Sequence, residues 1–274
     1  MNHRLPIILT AFKRLFRWQP RNFSDLIWSF LRNHGQRIGT ITSIAVGVLA
    51  ICIALPPFNQ YRATNPENDG YVQPRSVSNL VEKTQKSTVT IYCEYGKKLY
   101  SQGSGWSMKL RTSQKNVYPT AVITNHHVIE DCLNGKGRVS IVNSKGNEYK
   151  AIIDNWDKTN DLAVLATKAK IPPLKLSKNA PWPGYWVMAV GTADGYAGSI
   201  AFGNVLNVTD LEVLITANIS HGNSGGPLVD NEGFVIGTNT WGAKGEQYNG
   251  AKALDAMCKK LIVCKSEYFW EREN

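Results

Sequence analysis

Three short segments hold the residue types that amide hydrolysis needs. They are Ile123-Thr124-Asn125-His126-His127-Val128-Ile129, Asn160-Asp161-Leu162-Ala163-Val164-Leu165 and Gly222-Asn223-Ser224-Gly225-Gly226-Pro227-Leu228. A serine hydroxyl is a weak nucleophile until a base removes its proton during attack. A neutral imidazole suits that role, because its ordinary pKa of about 6.5 lets it take and return a proton near neutrality. A carboxylate behind the ring holds the useful tautomer and stabilises the imidazolium. Two backbone N–H groups must also meet the developing oxyanion. Glycines beside Ser224 let the chain turn tightly and present the amides of Gly222 and Ser224 to one point. Each segment alone has a plainer account. A Gly-rich turn carrying a serine can be a hairpin, Asp161 can open a strand, and a histidine can sit satisfied in a core. The three together specify a chemistry.

The elements that must position them are strands. From Ser87 onward, ten short runs rich in β-branched and aromatic residues appear, among them STVTIYCEY, GSGWSMKL, YPTAVITN, DLAVLAT, YWVMAVG and GFVIGTNTW. Turn clusters such as SKGN at 144–147 and DNEG at 230–233 separate them. That pattern predicts strands. With no long helix between them, they read as an antiparallel sandwich or barrel and exclude a βαβ fold. Val77 to Gln85 reads as a short helix capped by Ser76 or Ser78. A closing helix is expected from Lys252, with Leu254, Met257, Leu261 and Ile262 on one face. An α/β-hydrolase is excluded, because Ser224 is not in G-x-S-x-G and follows the histidine and aspartate candidates.

GNSGGPL, TNHHVI and NDLAVL resemble the serine, histidine and aspartate motifs of trypsin-like serine proteases, closest to the HtrA/Deg branch. Gly103-Ser104-Gly105-Trp106 resembles that branch's GSG-plus-aromatic strand, and Thr240-Trp241-Gly242 resembles the segment that pairs with the substrate backbone. The resemblance covers about residues 77–251. It implies two packed antiparallel β-barrels of chymotrypsin type, with Ser224 as nucleophile, His127 as base and Asp161 as its carboxylate. His126 is then a structural neighbour, and Asn160 helps hold the loop. The oxyanion hole falls to the amides of Gly222 and Ser224. Asn218, Thr240, Trp241 and Gly242 line the substrate site, with His221 nearby. No acid occurs among Thr216 to His221, so a neutral pocket for small or medium apolar side chains is expected. Two departures matter. Neutral Asn223 precedes the serine where secreted digestive relatives have an aspartate, so no activation by terminal cleavage is expected. With 50 residues after Ser224, no PDZ domain is expected. The branch's trimer makes a homo-oligomer an open expectation, and neither metal nor organic cofactor is implied.

The formal charge of +10 invites a nucleic-acid partner, but its distribution argues against one. Residues 1–37 carry seven basic residues against Asp25, a surplus of six that leaves four for the other 237 residues. The body's charges are interspersed, so no nucleic acid is expected. From Ile38 to Tyr61 no residue is charged, and the apolar run predicts a transmembrane helix over 38–58. The organisation expected is a basic cytoplasmic leader (1–37), a single-pass signal anchor, a linker (59–76) and a protease domain (77–274). The positive-inside bias places that domain beyond the membrane, on the periplasmic side of a bacterial inner membrane. Cys93, Cys132, Cys258 and Cys264 then permit two disulfides in three connectivities, or four buried thiols. The expected function is a membrane-anchored serine endopeptidase acting on proteins or peptides. An inactive, protease-like binding module tethered to the membrane is the alternative, and an ester hydrolase a further one.

Overall fold

Alternating apolar and polar residues, punctuated by glycine and asparagine turns, give twelve strands among the described residues of a computed structural model of the chain. The structure describes residues 28–29, 32–35, 43–46, 48–49, 70–96, 98–110, 112–135, 137–242, 248–262 and 264. The chain divides into two units, Met1–Pro66 and Glu67–Asn274.

In the first unit the described residues are short helical pieces at 28–29, 32–35, 43–46 and 48–49. No helix among the described residues is long and apolar enough to cross a membrane. This corrects the single-pass anchor expected over 38–58, and with it the cytoplasmic leader and periplasmic placement. Hydropathy alone carried that expectation, whereas a crossing needs about 20 consecutive helical residues. The described pieces reach four and two residues there. The remainder of 38–58 lies outside the described residues.

The second unit begins with α1 (Val77–Ser87), whose N-cap Ser76 accepts from the Asn79 amide at 3.4 Å. Six strands follow in a closed antiparallel barrel of order β1-β2-β3-β6-β5-β4. These are β1 (Thr88–Tyr95), β2 (Lys98–Met108), β3 (Thr120–Thr124), β4 (Arg138–Val142), β5 (Glu148–Asp157) and β6 (Leu162–Thr167). A second closed barrel takes the order β10-β11-β12-β9-β8-β7. Its strands are β7 (Trp186–Ala193), β8 (Tyr196–Val208), β9 (Glu212–Ile215), β10 (Pro227–Val229), β11 (Val235–Gly242) and β12 (Asn249–Ala253). Ile91, Val122, Ile129, Ile141 and Leu165 fill the first barrel. Val187, Met188, Ile215, Leu228, Ile236 and Leu254 fill the second. Each such side chain contributes about 1.5–3 kcal/mol by leaving water. Trp106, fully buried on β2, packs with the second barrel's core. Its indole N–H donates to Thr238 Oγ1 at 3.2 Å. The two barrels thus interlock through the GSGW segment.

Two strands were not expected, β10 inside the serine motif and β12 at the start of the supposed closing helix. Ala251 and Lys252 pair with Val213 and Glu212 and with Asn239 and Thr238. These ladders on both sides override the helical period, and α2 here begins only at Leu254, spanning Leu254–Lys260. Leu254, Met257 and Leu261 are buried as the helical face requires. Residues 263 and 265–270 of the expected helix lie outside the described residues. Residues 70–75, expected within a linker, pack on the second barrel. Tyr71 meets Tyr185 edge to face at 4.6 Å, and Val72 O accepts from Asn231 at 2.8 Å.

The cysteines pair as Cys93–Cys132 and Cys258–Cys264, with sequence separations of 39 and 6. Loop-closure entropy makes the first worth about 4 kcal/mol and the second about 2. Asp230 closes the 230–233 turn, its Oδ1 accepting from the amides of Glu232 and Phe234. Burial pushes its carboxyl up to about 6 from 3.8. The folded state therefore holds a proton that the unfolded state has released, and stability falls as pH rises from about 4 through 6. Asp230→Asn keeps the acceptor without the charge. It is expected to add up to about 3 kcal/mol at pH 7.5 and about half that at pH 5, read by urea unfolding at both values.

Candidate active site

The histidine pair follows β3, on the four-residue helix His126–Ile129. One helical step turns the two rings apart, so His126 is buried and His127 is exposed. His127 Nδ1 lies 2.8 Å from Asp161 Oδ2. The His127 amide donates to Asp161 Oδ1 at 2.9 Å. An ionised carboxylate only accepts, so Nδ1 carries the proton and Nε2 is left as the basic nitrogen. Asp161 ends the turn between β5 and β6 with φ 52°, a left-handed conformation that aspartate tolerates better than most residues. Asn160, expected to hold this loop, bonds Asp157 through both its backbone and side-chain N–H groups. Nearby, the Lys158 ammonium holds the Glu130 carboxyl below its usual range.

Ser224 comes from the loop before β10 and reaches the first barrel through its neighbours. The Ser224 carbonyl accepts from Ser104 N at 2.7 Å, and the Gly222 carbonyl from Ser104 Oγ at 2.6 Å. The His221 carbonyl accepts from Asp194 N at 2.7 Å, and that of Asn223 from Gly226 N at 3.0 Å. Asn223 N donates to Ser220 O and Gly225 N to Asn239 O. A trans peptide points its N–H opposite its C=O, so each fixed carbonyl also fixes the amide behind it. Among the described residues of this turn, the amides of His221, Gly222 and Ser224 meet no protein acceptor, and those of Gly222 and Ser224 lie on the planes that the His221 and Asn223 carbonyls fix. Gly222 holds φ 93°, and a Cβ there would overlap Thr192 O. The turn thus offers two aimed, unspent donors beside the serine.

The Ser224 hydroxyl donates to Thr240 O at 3.0 Å, and no hydrogen bond joins it to His127 among the described residues. Asn125, wholly buried, spans the two barrels beneath the pair. Its Nδ2 donates to Asp161 O at 2.7 Å and to Thr240 Oγ1 at 3.0 Å. Of the expected substrate residues, Thr240 is buried, Trp241 is half-buried, and Asn218 and Gly242 are exposed. A Cβ on Gly242 would come within 3.0 Å of Ile219 O and Asn249 Oδ1. Asn249 in turn donates to Ala217 O at 2.9 Å. Segments 217–219, 241–242 and 249 therefore lie side by side, and none of their residues is acidic.

Residues 103–237 match the family model of the trypsin-like peptidase domain. This chain carries a trypsin-like peptidase domain. Its trypsin-like part is 37% identical over 130 residues to a "Probable periplasmic serine endoprotease DegP-like" of Chlamydia muridarum, covering 43% of this chain and 25% of that protein. It is 32% identical over 187 residues to mouse (Mus musculus) "Serine protease HTRA3", covering 60% of this chain and 39% of the relative. The match thus spans about a quarter to two-fifths of these relatives' length. A solved serine endoprotease from Yersinia pestis shares the fold, with TM-score 0.58, 24% identity, and coverage of 69% of this chain and 66% of that one.

Sequence reasoning passed over three residues that this geometry brings forward. Ser104 stood inside a quoted motif with no task assigned to it. Asn125 directly precedes the histidines, and only the three-dimensional meeting of Asp161 and Thr240 reveals what it holds. Asn249 carried no local signal at all.

Proposed function

We propose that the trypsin-like domain is an active serine endopeptidase working through Ser224, His127 and Asp161. The observation that carries this is the doubly held Asp161 carboxylate, one oxygen on His127 Nδ1 and the other on the His127 amide. For attack, the Ser224 hydroxyl leaves Thr240 O and turns to His127 Nε2. Its oxygen bonds the substrate carbonyl carbon, its proton passes to Nε2, and the carbonyl π pair becomes the oxyanion. The amides of Gly222 and Ser224 stabilise that charge. As the C–N bond breaks, the Nε2 proton goes to the leaving amine, and a water repeats the sequence to free the acid. Thr240 to Gly242 pair with the substrate backbone, and Asn218 lies at the entrance of the primary pocket. The lack of acids around it supports cleavage after small or medium apolar residues.

The test is fluorophosphonate labelling of the full chain. Wild type is expected to label and Ser224→Ala to show none, with casein cleavage falling by about 10⁴-fold or more. One observation favours a second reading, a protease-like binding module: the serine hydroxyl is engaged by Thr240 O rather than by His127. A well-folded chain that fails to label would establish that reading instead.

A further inference from the structure

We propose that Ser104 is a positioning residue for the oxyanion turn, held out from the opposite barrel; this rests on the peptidase reading above. Ser104 lies on β2 of the first barrel and is fully buried. All of its polar groups are engaged, and most of them on the second barrel. Its amide donates to Ser224 O at 2.7 Å, and its hydroxyl donates to Gly222 O at 2.6 Å. The same oxygen accepts from Thr192 N at 2.9 Å. Its carbonyl accepts from Thr124 Oγ1 at 2.7 Å, two residues before the histidine pair.

The consequence follows from peptide planarity. Between His221 and Gly225 there are four peptide planes, and Ser104 holds two of them by their carbonyls. One is the Gly222–Asn223 plane, directly between the two amides that the oxyanion must meet. With φ 93° at a residue lacking a side chain, Gly222 has no steric wall of its own to hold that plane. Thr192 N also approaches Gly222 O, but at 3.4 Å, a long contact. On the plane's other edge Asn223 N donates to Ser220 O at 3.1 Å within the turn itself, so the hydroxyl of Ser104, at 2.6 Å, is the shortest restraint on the plane and the one that reaches it from the first barrel. Its own direction is set by the Thr192 amide, which occupies the acceptor side of Oγ. A backbone hydrogen bond alone would not suffice here: the Ser104 amide anchors Ser224, but only the side chain reaches Gly222. Glycine or alanine at 104 would keep the first contact and lose the second.

Ser104→Ala in the full chain separates this role from general stability. The expected result is a kcat lower by about 10- to 100-fold, with KM changed less than twofold. That loss is smaller than the 10²–10³ of deleting an oxyanion donor outright, because the amide stays and only its aim loosens. The discriminating readout is the Ki of a peptide boronic acid, which forms a tetrahedral adduct on Ser224. It should rise in parallel with the loss in kcat/KM. A variant that merely folded to a smaller active fraction would show lower kcat with Ki unchanged, and that outcome overturns the proposal. So does a kcat and Ki within twofold of wild type. Ser104→Cys, similar in size with a weak S–H donor, should fall between the two. It also carries the test by the same two constants if the alanine variant does not fold. A wild-type chain that labels with fluorophosphonate but is indifferent at position 104 rejects this inference alone. A wild-type chain that does not label rejects the peptidase reading beneath it.

Discussion

Asp161→Asn is expected to lower kcat by about 10⁴-fold while leaving KM and the thermal midpoint nearly unchanged. The structure gives a reason for so large an effect from one atom. Asparagine tolerates the left-handed backbone at 161 (φ 52°) as well as aspartate does, so the turn should survive. The amide of His127 donates to one side-chain oxygen of residue 161 at 2.9 Å, and asparagine must keep its carbonyl oxygen there. Its NH₂ then has to face His127 Nδ1, where Asp161 now presents an acceptor at 2.8 Å. A donor in that place forces Nδ1 to accept and puts the proton on Nε2. The ring then has no lone pair for the serine. The steady-state constants on a fluorogenic peptide at pH 7.5 decide the matter. A loss of less than tenfold would mean that His127 takes its orientation from elsewhere, and the triad assignment would lose its support.

The contrast between what was and was not legible in the sequence has a physical cause. Strands were readable because β-branched runs and turn clusters act locally, and the ten anticipated runs coincide with β1 to β9 and β11. β10 and β12 were missed because their identity comes from partners. Pro227–Val229 is three residues long, and Asn249–Ala253 is small and polar enough to suit a helix start. Only the ladders with β7, β9 and β11 make them strands. The membrane anchor was read from the length of an uncharged apolar run, and no helix among the described residues is long and apolar enough to form it. At the site, residue type and order pointed to His127, Asp161 and Ser224, of which the structure joins His127 to Asp161. The supports were not legible, because each joins segments far apart in the chain. Ser104 meets Gly222 across 118 positions, and Asn125 meets Thr240 across 115. Hydrogen bonds of that kind leave no local pattern. The comparison with known proteases supplies the fold frame, yet these contacts come from this chain's own geometry.

Gly225→Ala should disable the same turn from its other side, and a matched glycine shows why. Gly225 and Gly195 both hold positive φ, 88° and 89°. At Gly195 a Cβ would meet nothing within 4 Å, whereas at Gly225 it would overlap Ser104 O and Thr124 Oγ1 and crowd Asn125 N. Alanine at 195 therefore costs only backbone strain, about 1–2 kcal/mol. At 225 the same strain is joined by overpacking of about 1–3 kcal/mol against strands β2 and β3. Those strands cannot recede easily, because Thr124 Oγ1 is itself bonded to Ser104 O and both are buried. The turn must move instead, carrying Ser224 away from His127 and breaking the Ser104–Ser224 bond. Gly225→Ala is expected to lower the thermal midpoint by roughly 5–15 °C and Gly195→Ala by roughly 2–6 °C. The sharper difference is chemical. Fluorophosphonate labelling should slow by about 10³-fold in Gly225→Ala, as it does when oxyanion donors are lost. It should stay within a few-fold of wild type in Gly195→Ala. Equal labelling rates in the two variants would mean that the contact between the barrels does not set the serine's position, and the interlock through β2 would be packing alone.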